Sequence, residues 1–190
     1  MEHSSAFGQT SWGRSVYGVI SMAHRLEGIL NINGECFVFL DGTGYIETDR
    51  GHSFPNAYLW TQCTWHEGQP ASLMLSVATI PLAKTRFIGC ICAVIHRGKE
   101  HRLATYCGAR VEEWSRDGAV IRQGKYRLEV EVPGESSQPL RAPVSGSMQR
   151  TIRESLCTRA RYRFWAGKEL LFERIYSGWN IAFLKIWSYG

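Results

Sequence analysis

A chain of 190 residues is long enough to bury a sizeable core and short for two domains of ordinary size. Hydrophobic residues make up 44% of it and charged residues 21%, close to globular averages, which argues against a disordered polymer. The net charge of +5 comes from basic groups spread along the chain, so composition does not point to nucleic acid as a partner.

The opening MEHSSAFGQTSWGRS has neither a basic n-region nor an apolar h-region, so no secretion signal is read there. The expected location is cytoplasmic or peripheral to a membrane. Period-two alternation then predicts strands over residues 28–32 and 36–40, joined by Asn33-Gly34. Strand signals follow at 58–65 and 72–80, joined by Glu67-Gly68, and at 87–96 and 101–111, joined by Arg97-Gly98. The apolar run 87–95 is too short and interrupted to cross a bilayer, so no integral membrane segment is expected. Asp117-Gly118 leads into 120–123. The clearest strand comes next: Tyr126, Leu128, Val130 and Val132 alternate with Arg127, Glu129 and Glu131. Residues 133–143, rich in Gly, Ser and Pro, read as a loop. Residues 147–156 fit either a helix, with Met148, Ile152 and Leu156 at i, i+4 and i+8, or another strand. Strands at 159–165 and 170–176, joined by Gly167-Lys168, complete the pattern.

Some nine or ten sequential antiparallel strands must hide their edges, and closure of an up-and-down meander into one barrel over residues 1–190 is the expected solution. Seven Trp, eight Tyr and eight Phe either fill its core or line a cavity for a greasy or flat small molecule. The six cysteines contain no C-x-x-C pair; Cys90 and Cys92 should share a face as reduced thiols, and no metal site is expected. Arg159, Arg161 and Arg163 alternate along one strand, as a solvated outer face or a site for anions such as headgroups or single-stranded nucleic acid.

The densest chemistry lies in GYIETDRGHSFPNAYLW, residues 44–60. Glu47 and Asp49 are two apart, so in an extended segment they leave one face, where mutual repulsion raises one pKa. An acid kept protonated beside aromatic faces suits the handling of cations. The alternative is that residues 48–52 form a solvated polar turn.

This segment resembles the signature of the tocopherol cyclase-like family, GYIE-x-D-W-G-x-SFP followed by Trp-x-Gln. The matching residues are Gly44, Tyr45, Ile46, Glu47, Asp49, Gly51, Ser53, Phe54 and Pro55, then Trp60 and Gln62. Ser21-Met22-Ala23-His24 resembles the family's SM-x-H element, residues 76–81 its VA-x-IP strand, Ala104-Thr105-Tyr106 its ATY strand, and 140–155 its L-x-AP…G-x-M…I-x-ES segment. The resemblance spans roughly residues 17–176. It implies a lipocalin-like (calycin-type) barrel and the ring closure of a prenylated hydroquinone to a chromanol, with no metal or redox cofactor.

In that reading Asp49 is the acid and Glu47 the neighbour that raises its pKa. Tyr45, Tyr58 and Trp60 face the cation, while His24, His52 and Gln62 orient the phenol. Glu154 is either a pocket carboxylate or the partner of an arginine such as Arg14 or Arg153. Against these roles, Tyr58 and Trp60 also suit plain core, and His24 and His52 also suit bonding to backbone carbonyls. Three departures from the family pattern stand out. Arg50 replaces its Trp, putting a guanidinium beside Asp49; the chain resembles the C-terminal half of longer members; and the ending at residues 179–190 is unlike the usual acidic one. The first two are consistent with a rival reading, a non-catalytic carrier of a hydrophobic small molecule.

Overall fold

The computed structural model describes residues 10–11, 15–51, 55, 57–82, 85–132, 138–144, 146–155, 159–176 and 182–187. The chain begins with β1 (Thr10–Ser11) and two long strands, β2 (Ser15–Ile32) and β3 (Glu35–Gly51). A meander follows: β4 (Tyr58–His66), β5 (Pro70–Leu82), β6 (Thr85–His96) and β7 (Lys99–Ala104). After a single 3-10 turn at Thr105–Cys107 come β8 (Arg110–Ser115), β9 (Gly118–Gln123) and β10 (Tyr126–Glu131). The remainder is β11 (Gln138–Val144), β12 (Ser147–Ser155), β13 (Ala160–Ala166), β14 (Glu169–Tyr176) and β15 (Ala182–Trp187).

The all-β expectation holds, and every strand pairing among the described residues is antiparallel. Closure does not: the strands form three sheets, and no closed barrel is found among the described residues. The orders are β1-β2-β3, β14-β13-β10-β9-β8 and β11-β12-β15-β4-β5-β6-β7. Sequential hairpins account for β4 to β7 and for β8 to β10. The meander then fails, because β11–β12 and β15 join the seven-stranded sheet while β13–β14 return to the five-stranded one.

Local chemistry explains most element boundaries. Asn33 and Gly34 both have positive φ (51° and 86°), as do Arg97 and Gly98 (50° and 70°), the backbone that two-residue hairpins require. The predicted strand 101–111 is broken at Thr105, whose Oγ1 accepts from the Cys90 N–H at 2.8 Å and takes the place of a ladder carbonyl. There the chain crosses from one sheet to the next. Residues 147–155 are strand, not helix, with Ile152 buried and Met148 exposed. Half of the predicted loop 133–143 belongs to β11, which tolerates Pro139 and Pro143 because it lies at a sheet edge.

The five- and seven-stranded sheets face each other across the main core. Leu59, Leu73, Leu75, Val77, Cys92 and Leu103 meet Ile121, Leu128, Tyr162, Phe164 and Phe172, so part of the aromatic excess is core. Cys90 and Cys92 do share this face as free thiols, and burial pushes the thiol of Cys63 beside them up to about 12. A fully buried polar contact spans the core: the Thr61 and Tyr162 hydroxyls lie 2.5 Å apart. Tyr162→Phe is expected to cost about 1–3 kcal/mol by stranding the Thr61 hydroxyl. The double variant Tyr162→Phe/Thr61→Val should recover much of that loss in urea melts; a purely additive pair would contradict the role given to this bond.

On the opposite face of the seven-stranded sheet lies the β2–β3 ribbon. Val19 and Met22 pack on Met74, Ile91, Ala93 and Ile95, while Tyr17 and Tyr45 pack against Tyr58, Trp60 and Ala78. Nearer the turn the ribbon is largely exposed, Ile29, Val38 and Leu40 included. The arginine face of β13 is not a bare cationic stripe: Arg161 pairs with Glu131 and Glu173, and Arg163 with Glu129 and Glu131. No helix of the described residues is long and apolar enough to cross a membrane.

Candidate functional site

The segment that carries the two carboxylates is strand as far as Gly51, so residues 48–51 are not a polar turn. Alternation along β3 gives Tyr45 and Glu47 one face and Ile46, 45% exposed, the other. The inner face meets β2 and β4. There Glu47 Oε2 accepts hydrogen bonds from the hydroxyls of Tyr17 and Tyr45, each at 2.7 Å. The Trp60 indole N–H donates to the Tyr17 hydroxyl at 2.9 Å, and the Tyr45 ring meets Trp60 edge-on, centroids 6.4 Å apart. Two phenols from two strands thus converge on one carboxyl group, and Trp60 of a third strand bonds to one of those phenols.

Burial, followed by the charge of Glu47, holds the Tyr17 phenol well above its ordinary pKa. Burial, followed by the charges of Tyr17 and Glu47, does the same for Tyr45. Both are therefore fixed as proton-bearing donors at any ordinary pH. Among the described residues, the hydrogen bonds to Glu47 all go to Oε2. The arrangement can stabilise negative charge on that oxygen.

Of the other predicted site residues, Tyr58 and Gln62 are buried on β4, at even positions with Trp60. Tyr58 packs with Trp60 and Ala78. His24 sits farther along the ribbon, its Nδ1 3.0 Å from Ser21 Oγ. Its ring lies against the bare backbone of Gly44, where a Cβ would come within 2.1 Å of Nε2. Asp49 pairs with Tyr17 along the β2–β3 ladder, but its side chain lies outside the described residues, as do His52 and the side chain of Glu154. Glu154 has a known register: it pairs with Lys185, which pairs with Trp60. Arg50, opposite in parity to Glu47, is exposed.

Tyr17 was not among the predicted residues. Three register irregularities in the β2–β3 ladder bring it there. Counted back from the Asn33-Gly34 turn, an unbroken ladder sets Glu47 opposite Ile20; the observed partner is Val19, which puts Tyr17 on the face of Glu47. An open cleft of about 650 Å³ lies on the five-stranded sheet, lined by Trp114, Arg127, Glu129 and Arg163, and contains none of the predicted site residues.

Residues 16–180 match the model of the family described as Tocopherol cyclase-like. A crystal structure of kievitone hydratase from Nectria haematococca is similar to this chain with a TM-score of 0.49 and 12% sequence identity, over 90% of this chain and 53% of that one. The chain thus spans about half the length of the solved structure it matches. With most of its length covered by the family model, this chain belongs to the Tocopherol cyclase-like family.

Proposed function

We propose that the chain is an intramolecular cyclase that closes the ring of a prenylated hydroquinone, using a carboxyl group of the Glu47/Asp49 pair as the acid. The observation that carries this reading is the bonding of Glu47, two phenols on one oxygen, beside Trp60. A proton leaves Oε1 for the less substituted alkene carbon, forming a C–H bond from the π electrons. The tertiary cation left behind faces the rings of Tyr45 and Trp60. The substrate's phenol oxygen then forms the C–O bond, and its proton returns to the carboxylate. Nothing is oxidised or reduced, so the step needs no redox partner.

The bonds from Tyr17 and Tyr45 favour Glu47 as the donor in this reading, where the family resemblance implies Asp49. Exposed on the other side of β3, Arg50 does not share the face of Glu47, which weakens the objection that its charge spoils the acid. Glu154 and Gln62, in or beside the Trp60 strand row, and His24 and His52 remain candidates for holding the quinol.

The test is incubation with a prenylated hydroquinone in D2O, followed by chromatography and mass spectrometry. A cyclase yields a chromanol with a carbon-bound deuterium. Retention of unchanged quinol on the protein identifies a carrier of hydrophobic small molecules instead.

A further inference from the structure

One end of the sandwich sets two imidazoles among aromatic rings, His96 buried and His101 half-buried. His96, the last residue of β6, is 4% exposed, and neither of its ring nitrogens has a hydrogen-bond partner. Its ring lies 5.2 Å from that of Phe172 on β14. Phe172 also packs on Trp65 of β4 at 5.0 Å, and the buried Trp65 indole N–H is unpartnered too. His101, opposite Val94 on β7, stands edge-on to the stacked pair Tyr126 and Phe164, at 5.2 and 5.4 Å. Each imidazole therefore bridges the seven-stranded sheet to the five-stranded one through a ring contact.

The charged groups facing this end are mostly positive. Arg97 follows His96 in the β6–β7 turn, and Lys99 pairs with His96 on β7. Lys125 lies over Tyr126 from the β9–β10 turn, and Arg174 of β14 lies over Trp65. The opposing carboxylate, Glu67 in the β4–β5 turn, is bonded to Arg174. Burial foremost, then Arg97, lowers the pKa of His96; burial foremost, then Lys99 and His96, lowers that of His101. Above this end, β14 is an edge strand, paired on one side with β13.

We propose that His96 and His101 form an acid-released latch: neutral, His96 on Phe172 of β14 and His101 on Tyr126 of β10 and Phe164 of β13 let the five-stranded sheet close on the β4–β7 end of the core, and protonated, they leave the aromatic cluster and open it. The open state carries imidazoles with the ordinary pKa of about 6.5 and binds more protons below that pH than the closed state. Closure is complete above about pH 6.5 and is lost as pH falls toward the closed-state values. Each imidazole can raise the opening constant by at most about tenfold per pH unit, and the two together by about 100-fold.

Amide hydrogen exchange of the intact chain at about pH 7.5 and 5.5, corrected for intrinsic rates, reads this directly. Protection in β13, β14 and the β4–β5 turn is expected to fall by up to about 100-fold in the parent chain and by about tenfold or less in His96→Phe. Equal losses in parent, His96→Phe and His101→Phe overturn the latch. NMR titration of the parent chain decides the matter even if a variant fails to fold: midpoints below about 6.5 for both imidazoles support the latch, and a His96 midpoint at or above it removes the basis for it.

Discussion

Glu47→Gln is expected to lower turnover of a prenylated hydroquinone by about 100- to 10,000-fold, the usual range for loss of a general acid. Binding of the quinol, followed by quenching of Trp fluorescence, should stay within about twofold, because the substitution removes no shape. The amide oxygen can still accept from both Tyr17 and Tyr45, as Glu47 Oε2 does at 2.7 Å, so the rings keep their places. What is lost is the acidic proton. Tyr17→Phe probes the same chemistry from the other side: it removes one donor to the conjugate base, with an expected loss of up to about 100-fold. It also removes the hydroxyl that accepts from the Trp60 indole N–H at 2.9 Å. Unimpaired turnover in Glu47→Gln, with Asp49→Asn inactive but still binding, moves the proton to Asp49. Full activity in both ends the carboxyl mechanism.

The two levels of structure were unequally legible. Hairpins depend on a few neighbouring residues, so Asn33-Gly34, Glu67-Gly68, Arg97-Gly98, Asp117-Gly118 and Gly167-Lys168 could each be read as turns, and each lies between paired strands. Sheet membership is set by pairings between distant segments, such as β15 with β4, and nothing local announces it. That is why a meander suggested one barrel where the chain alternates between two facing sheets. At the candidate site, alternation alone was enough to put Tyr45 with Glu47. Tyr17, thirty residues from Glu47, depended on bulges whose net effect is a shift of one residue, and one residue decides the face. A strand pattern cannot report such a shift, since apolar residues at Val19 and Ile20 satisfy either register. The break at Thr105 was hidden for a similar reason: a β-branched residue reads as strand, and only its bond to the Cys90 N–H reveals the stop.

Phe164→Ala is the substitution expected to cost most in stability. Phe164 is fully buried on β13 and touches three other rings: Tyr126 stacked at 5.6 Å, His101 edge-on at 5.4 Å and Phe172 tilted at 5.6 Å. Truncation removes the apolar burial and leaves a cavity that these neighbours, each held by its own strand, can only partly fill, at a cost of about 3–5 kcal/mol. Against a total stability of about 5–15 kcal/mol, that approaches the margin for folding. A chain of this size should lose about 6–20 °C in thermal midpoint. Phe164→Leu, which keeps an apolar branch but gives up the ring contacts, should fall between the parent and Ala. The cavity also gives His101 room to hydrate, so in Phe164→Ala its titration midpoint should rise toward the ordinary value. A thermal midpoint unchanged by Phe164→Ala would mean that the two sheets are not held together at this point, and the same result would remove the aromatic seat on which the His101 contacts depend.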